Sequence, residues 1–147
     1  MTQEELMIGD IVNVHRCECV ADGGHFQEWN EYGKVVSITE DYITIKYIGR
    51  EDDYGFEDVN EEDINPIPLT PEILEKNGFI GDKNVCKTKV RDDLKDELWQ
   101  CEYAWYLKNL RIKNRTNSSV ARLYNIMFVH ELQHALRLCN VSKEIEI

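Results

Sequence analysis

Hydrophobic and polar positions alternate through the first 69 residues, and this pattern predicts short β-strands. A β-branched run at 11–14 follows a Gly-Asp turn. Two further runs, 33–38 and 42–48, flank a polar turn at 39–41, and their period of two predicts a hairpin. A last short strand is expected over 59–64. Four or five such strands predict a small SH3-like β-barrel or a bent sheet.

The pattern changes after residue 65. Prolines at 66 and 68 interrupt the strands, and a short helix with clear end signals follows. Thr70 is a suitable N-cap, Pro71 fits the first helical position, and Gly78 fits the C-terminal cap. Apolar residues at helical spacing over 126–139 predict an amphipathic C-terminal helix.

The segment 92–114 supports two interpretations. Leu94, Leu98, Cys101 and Trp105 recur at helical spacing, whereas the aromatic residues from Trp99 onward alternate as they do in a strand. A polar turn at 114–119 and a returning strand at 120–124 follow. We therefore predict an α+β fold, with an acidic barrel-like region at 1–69 and an α+β region at 70–147. A single compact domain is the alternative.

Charge is unevenly distributed along the 147 residues, whose net charge is −11. Residues 1–69 hold 17 acids and 4 bases, and residues 70–147 hold 11 acids and 13 bases. The acidic run at 51–63 is typical of a solvated loop that repels phosphates, so nucleic acid is not the expected partner. The asymmetry also favours a homo-oligomer in which unlike halves meet.

Composition suggests where the chain resides. The longest apolar stretch falls short of the roughly 20 residues that cross a membrane, and the acidic N-terminus has no apolar signal region. Five cysteines form no dense framework, which is typical of reduced thiols. We expect a cytoplasmic protein that does not contact a membrane.

The segment His130-Glu131-Leu132-Gln133-His134 has the spacing of HExxH zinc hydrolases. On a helix, positions i and i+4 would bring both imidazoles to one Zn²⁺, with Glu131 as general base for a bound water. No third ligand follows at a usual spacing, since Arg137 and Asn140 stand where the extended pattern needs glycine and histidine. The alternative interpretation, an amphipathic helix with polar edges, is favoured.

A second arrangement of zinc-binding side chains is His15, Cys17, Cys19 and His25. In a strand the first three share one face, and a turn at Gly23-Gly24 would return His25. Because a Cys-x-Cys spacing is unusual for zinc, core cysteines are the favoured interpretation. The sequence thus predicts no cofactor, with zinc as the alternative.

Aromatic residues also stand beside basic ones in the second half of the chain. These residues are Trp99, Tyr103, Trp105, Tyr106, Lys108, Arg111, Lys113 and Arg115. Such a mixture stacks on and neutralises single-stranded nucleic acid in some proteins, but a core with a solvated rim is the favoured interpretation here.

Two anchor segments resemble a family of small proteins: 64–79, which reads INPIPLTPEILEKNGF, and 126–147, which contains VHELQHALRLCNVSKEIEI. That family is uncharacterised and occurs in gut anaerobic bacteria, their phages and mobile elements. Its pattern has glutamine and asparagine where this chain has Glu131 and His134, which implies that HELQH is a chance variant. The resemblance also implies strands over 99–110.

These observations predict a non-enzymatic protein of phage or mobile-element origin that binds an unknown protein partner as an adaptor. The alternative is a minimal zinc-dependent hydrolase with His130 and His134 as ligands and Glu131 as base.

Overall fold

The structure, a computed structural model, describes residues 1–147 except 21–23, 51–54, 83 and 93–96. It divides into two compact units, Met1–Ile67 and Pro68–Ile147. Each unit contains one five-stranded antiparallel sheet, and the second unit also contains two α-helices. The predicted α+β class is confirmed. None of the helices in the described residues is long and apolar enough to cross a membrane.

The first unit is a meander whose last strand returns to the first. Its strands are β1 (Ile11–Val20), β2 (His25–Ile38), β3 (Ile43–Tyr47), β4 (Phe56–Val59) and β5 (Ile64–Asn65), in the sheet order β4-β3-β2-β1-β5. Alternate apolar side chains fill the core, including Val12, Val14, Val35, Ile43, Ile45 and Ile64. The part of the acidic run at 51–54 lies outside the described residues.

The predicted hairpin is confirmed. The Thr39 N–H donates to the Tyr42 carbonyl at 3.0 Å, which closes the turn between β2 and β3. Ile43, Ile45 and Tyr47 are buried, as the alternation predicts. The prediction of a strand over 59–64 is wrong at its centre, because Glu61–Asp63 form a 3₁₀ turn between β4 and β5. Three successive acids supply no apolar alternation, and they suit the positive end of a helical turn.

The second unit is a similar meander with helices at its two ends. Its strands are β6 (Ile80–Gly81), β7 (Val85–Asp92), β8 (Glu97–Ala104), β9 (Asn109–Asn114) and β10 (Val120–Leu123), in the order β10-β9-β8-β7-β6. Of the two interpretations of 92–114, the strands are confirmed over Glu97–Ala104 and Asn109–Asn114, and the part at 93–96 lies outside the described residues. Trp99, Cys101 and Tyr103 point into the core from alternate positions of β8.

Helix α1 (Pro71–Lys76) has the ends that the sequence predicts. The Thr70 hydroxyl oxygen accepts from the Ile73 N–H at 3.3 Å. At the other end Gly78 has a φ of +73°, and the Phe79 N–H donates to the Leu74 carbonyl at 2.9 Å. This is the left-handed cap that glycine favours.

Helix α2 (Val129–Leu138) lies against β9. Val129, Leu132 and Leu136 are buried, as the predicted apolar stripe requires. His130 and Gln133 are buried as well, at 7% and 6% exposure, so the packed face is wider than the apolar stripe. His130 and His134 were expected at a polar edge of the helix, and this expectation is wrong for His130, which is buried.

The chain after α2 returns to α1 through one buried amide. Asn77 Nδ2 donates to the carbonyls of Ile73, at 2.8 Å, and Glu146, at 2.7 Å. Asn77 Oδ1 accepts from the Glu146 N–H at 2.9 Å. These bonds, with the buried Val141 and Ile145, hold the segment that follows α2 against the second unit.

Candidate functional site

The HELQH segment lies in the first turns of α2, and there Glu131 caps the helix. Its Oε2 accepts from the backbone N–H groups of Met127, at 2.6 Å, and Phe128, at 3.0 Å. A glutamate at the third helical position commonly satisfies the free N–H groups at a helix start in this way. The carboxylate proposed as a general base is therefore already bound to the backbone.

The two histidines of this segment lie one above the other, as helical spacing requires. Their ring centroids are 5.7 Å apart and nearly perpendicular. The His130 ring is also stacked on Phe128, with centroids 5.8 Å apart. In the described part of the chain, the structure brings no group of three or more His, Cys, Asp or Glu side chains together as a metal site.

The second predicted zinc arrangement is divided by the register of β1 and β2. Cys19 pairs with Phe26, whereas His25 pairs with Val20. Paired residues of an antiparallel ladder share a face, and neighbouring residues point to opposite faces. His15, Cys17 and Cys19 therefore share a face with Phe26, and His25 lies on the other face. The side chains of His15, Cys17 and Cys19 are therefore separated from that of His25 by the sheet.

Burial keeps three of the five thiols protonated. It raises the pKa of Cys101 from 9.0 to about 12, and it also raises the pKa of Cys86 and of Cys139. The Cys86 thiol donates to the Tyr103 carbonyl at 3.8 Å. Since the thiolate is the nucleophile, these three cysteines are poor candidates for covalent catalysis.

A two-stranded extension of the β1–β2 hairpin is exposed to solvent along its described side chains. It comprises Cys17–Val20 paired with His25–Glu28, and we call it the ribbon. All of its described side chains are exposed, and Phe26 is 69% exposed. At its base the Arg16 guanidinium contacts Glu57 at 2.6 Å.

The outer edges of the ribbon have no neighbouring strand within the described residues. β5 pairs with β1 only at Asn13 and Val14, and β3 pairs with β2 only from Gly33 onward. Among the described residues, no strand pairs with the backbone N–H and C=O groups that point outward from the ribbon. The sequence did not predict this site, because the sequence pattern indicates where strands form but not how far a neighbouring strand pairs along them.

The solvent face of the second sheet concentrates positive charge. We call it the cationic face, and its basic residues are Lys87, Lys89, Arg91, Arg111, Lys113, Arg115 and Arg122. All seven belong to β7, β9 or β10 or directly follow β9, at positions that alternate with buried residues in β7 and β9 and with half-buried residues in β10. Register places Lys87, Glu102, Arg111 and Arg122 in one row across four strands.

A second row crosses the same four strands through Lys89, Gln100, Lys113 and Val120. Two shallow depressions of about 140 and 320 Å³ flank Gln100, and both are lined by basic side chains. Glu102 is the one acid at the described positions of this face, and its carboxylate contacts Lys87 Nζ at 3.0 Å. The sequence contains the signal for this face in the alternating bases of KTKVR and RIKNR.

The predicted aromatic and basic cluster is only partly assembled. Trp99 and Tyr103 are buried, and Trp105 is half-buried with its ring 4.9 Å from that of Tyr103. Tyr106, in the turn between β8 and β9, is 92% exposed. The sequence missed Tyr124, which follows β10 and is 64% exposed.

No protein-family model, curated protein or solved structure matches this chain. The surfaces of the two units are therefore the basis for a proposal of function.

Proposed function

We propose that the protein is a non-enzymatic adaptor whose ribbon binds an extended, basic segment of a partner protein. The observation that carries the proposal is the ribbon with two unpaired edges in the described residues. A strand added to such an edge gains main-chain hydrogen bonds, and neighbouring pockets or side chains supply specificity.

The chemistry of the ribbon selects the class of segment. Its described residues include Glu18 and Glu28 and no lysine or arginine. The unit around it, Met1–Ile67, holds 17 acids and 4 bases. Charge complementarity therefore favours a segment with lysine or arginine, and exposed Phe26 offers an apolar anchor beside the exposed Cys17 and Cys19.

The residues of HELQH support a structural role more than a hydrolytic one. Glu131 accepts two backbone N–H groups at the start of α2, and His130 is buried against Phe128. The zinc hydrolase interpretation requires a free carboxylate beside a metal-bound water. Stoichiometric zinc, together with a hydrolytic activity that is lost in Glu131→Gln, would overturn the adaptor proposal.

The proposed origin of the protein, the SH3-like fold of its first unit and its location are each supported by different observations. The resemblance of 64–79 and 126–147 to small proteins of gut anaerobic bacteria and their phages supports a phage or mobile-element origin. An SH3-like fold for the first unit is supported by its meander, by the 3₁₀ turn before the last strand and by the pairing of β5 with β1. A cytoplasmic location is supported by the free cysteines.

The test compares the full chain with a chain in which residues 17–28 are replaced by Asn-Gly. This two-residue turn would join Arg16 to Trp29, which are directly opposed in the ladder. The removed segment contributes no described buried side chain, so the shortened chain should melt close to the original. Short peptides selected from a random display library against the full chain serve as the probe.

We expect selected peptides to be basic and extended, to slow amide exchange in the ribbon, and to lose binding to the shortened chain. Phe26→Ala should weaken binding about tenfold, which corresponds to about 1.4 kcal/mol. Arg111→Glu with Lys113→Glu, on the cationic face, is the matched control and should leave binding unchanged. Peptides that bind the shortened chain equally well, or protect amides elsewhere, would overturn the proposal.

A further inference from the structure

The second unit carries a charged surface that the proposed adaptor function does not use. Seven basic side chains project from one sheet face, and Glu102 is the one acid at its described positions. Both signs of charge are usually interspersed on a protein surface, and a field of one sign attracts ligands of the opposite sign. The segregation of one sign on this exposed sheet face therefore suits a polyanionic ligand.

The geometry of the face suits a linear ligand with repeated charges. Neighbouring strands are about 4.8 Å apart, and side chains two residues apart on one strand are about 6.7 Å apart. The two rows through Glu102 and Gln100 cross four strands, and Arg91 and Arg115 extend the array beyond them along β7 and β9. An extended anionic chain can therefore contact several cations in succession.

The residue types favour phosphate over carboxylate as the repeated group. Four of the seven cations are arginines, whose planar guanidinium binds phosphate through two parallel hydrogen bonds. Arginine also binds carboxylates in this way, so a second observation is needed to separate nucleic acid from an acidic polypeptide.

Two exposed tyrosines provide that observation. Tyr106 precedes β9 and Tyr124 follows β10, and both therefore lie at the end of the face that is next to the row containing Arg111 and Arg122. The Ile126 N–H donates to the Lys108 carbonyl at 2.8 Å, which joins the two segments that carry the tyrosines. Exposed aromatic rings beside a cationic surface stack on bases, and single-stranded nucleic acid presents its bases freely.

The net charge of −11 does not prevent such binding. The acidic residues are concentrated in Met1–Ile67, which has 17 acidic and 4 basic residues. The second unit has 11 acidic and 13 basic residues. Salt at physiological strength screens charges beyond about 8 Å, so a bound strand experiences mainly the face that it contacts. The expectation that nucleic acid is not a partner rested on the acidic run at 51–63, which belongs to the first unit.

We propose that the cationic face binds single-stranded nucleic acid, with its basic side chains on the phosphates and with Tyr106 and Tyr124 stacked on bases. The contacts involve the backbone and the faces of bases, so binding has little sequence preference. This inference rests on the second unit and does not depend on the ribbon.

The test measures binding of fluorescent oligothymidylate of about 16 nucleotides to the full chain by anisotropy. If five phosphates are neutralised, affinity should fall about 100-fold between about 50 and 200 mM salt. Arg111→Glu with Lys113→Glu should weaken binding at least about tenfold and reduce this salt dependence. Lys46→Glu with Lys76→Glu makes the same change in net charge at exposed positions outside the face and should have little effect.

Tyr106→Ala with Tyr124→Ala separates nucleic acid from other polyanions. We expect this pair to weaken binding of oligothymidylate and not of polyglutamate, which has no bases to stack. The melting temperature of each variant, with Arg111→Gln and Lys113→Gln as milder replacements, confirms that folding is retained.

Three results would overturn the proposal. The first is no binding of oligothymidylate at low salt. The second is equal binding of polyglutamate and oligothymidylate without any effect of the tyrosines, which would identify an acidic polypeptide as the ligand. The third is self-association of the protein at low salt. This self-association would be abolished by Arg111→Glu with Lys113→Glu, and oligothymidylate would not compete with it. That result would identify the acidic unit of a second copy.

Discussion

A single carboxylate shows how a short sequence pattern acquires a different role in the folded chain. Glu131 occupies the position of the base in HExxH, but its Oε2 accepts the N–H groups of Met127 and Phe128. The pattern records the spacing of two histidines and an acid on a helix, and spacing alone does not specify what the acid contacts. At the start of a helix, a capping glutamate and a catalytic one have the same local sequence.

The capping role predicts a specific order of stability among variants. Glu131→Ala should lower the free energy of unfolding by about 1 kcal/mol, because two N–H groups lose their acceptor. Glu131→Gln retains an acceptor oxygen and should cost less than half of that. Urea denaturation measures both. Equal stability of all three proteins would contradict the capping role.

The buried phenol of Tyr103 predicts how stability depends on alkaline pH. Its hydroxyl donates to the Ile126 carbonyl at 2.6 Å, and burial raises its pKa from 10.0 to about 12. Burial also raises the pKa of Tyr47 and of Cys101 to about 12. The folded state holds these protons more tightly than the unfolded state, so stability is full below about pH 9 and falls as pH approaches 12.

Tyr103→Phe tests this assignment. At pH 7 it should lower the free energy of unfolding by about 1 kcal/mol, because the Ile126 carbonyl loses its donor. Between pH 9 and 11.5 its stability should fall less steeply than that of the original protein, since one titrating group is gone. Urea denaturation across this range measures the slope. Parallel curves would show that Tyr103 does not contribute to the alkaline loss.

At the scale of elements, a buried side chain joins α1 to a segment almost 70 residues later. Asn77 makes hydrogen bonds to Ile73 and Glu146, and the residue is 4% exposed. An amide has both a donor and an acceptor, so it can bind an N–H and a C=O of the returning chain at once. Neither aspartate nor leucine offers this combination.

Asn77→Ala should release the segment after Val141. We expect a loss of about 2 kcal/mol in the free energy of unfolding and faster amide exchange at 143–147, since three hydrogen bonds are removed. Asn77→Asp keeps the acceptor and should retain part of the protection. Unchanged exchange at 143–147 in Asn77→Ala would show that Val141 and Ile145 hold the segment unaided.

The sequence predicts those elements whose signals are local. The alternation at 42–48 and the caps at Thr70 and Gly78 are visible in the chain and are confirmed. The 3₁₀ turn at Glu61–Asp63 and the full length of β1 depend on pairing with distant strands. The candidate sites were harder to predict for the same reason. The ribbon is defined by the positions at which β3 and β5 stop pairing with β2 and β1. The cationic face brings together basic residues from β7, β9 and β10.

At the scale of the whole molecule, charge divides with the two units. Met1–Ile67 has a net charge of −13 and Pro68–Ile147 has one of +2. Ion pairs between Arg16 and Glu57 and between Arg50 and Glu31 offset part of the repulsion in the first unit. Pairs that water still reaches contribute about 1 kcal/mol or less each, and the remaining acidic residues repel one another.

Salt should therefore stabilise the first unit. Raising ionic strength from about 0.01 to 0.15 M shortens the screening length from about 30 to 8 Å, which weakens the repulsion. We expect the melting temperature of this unit to rise by a few degrees, the change that about 1 kcal/mol produces in a domain of this size. Amide exchange within β1–β5 during heating reports on this unit alone. A lower melting temperature in salt would show that attractive pairs outweigh repulsion.

The ribbon also bears on how such a protein can change over generations. Its described side chains are exposed, so they contribute little to the stability of the sheet from which it extends. Substitutions there can accumulate without unfolding the protein, whereas the same changes at Val12 or Val14 would be eliminated. A lineage can therefore vary the exposed surface of this hairpin rapidly while it inherits the core unchanged.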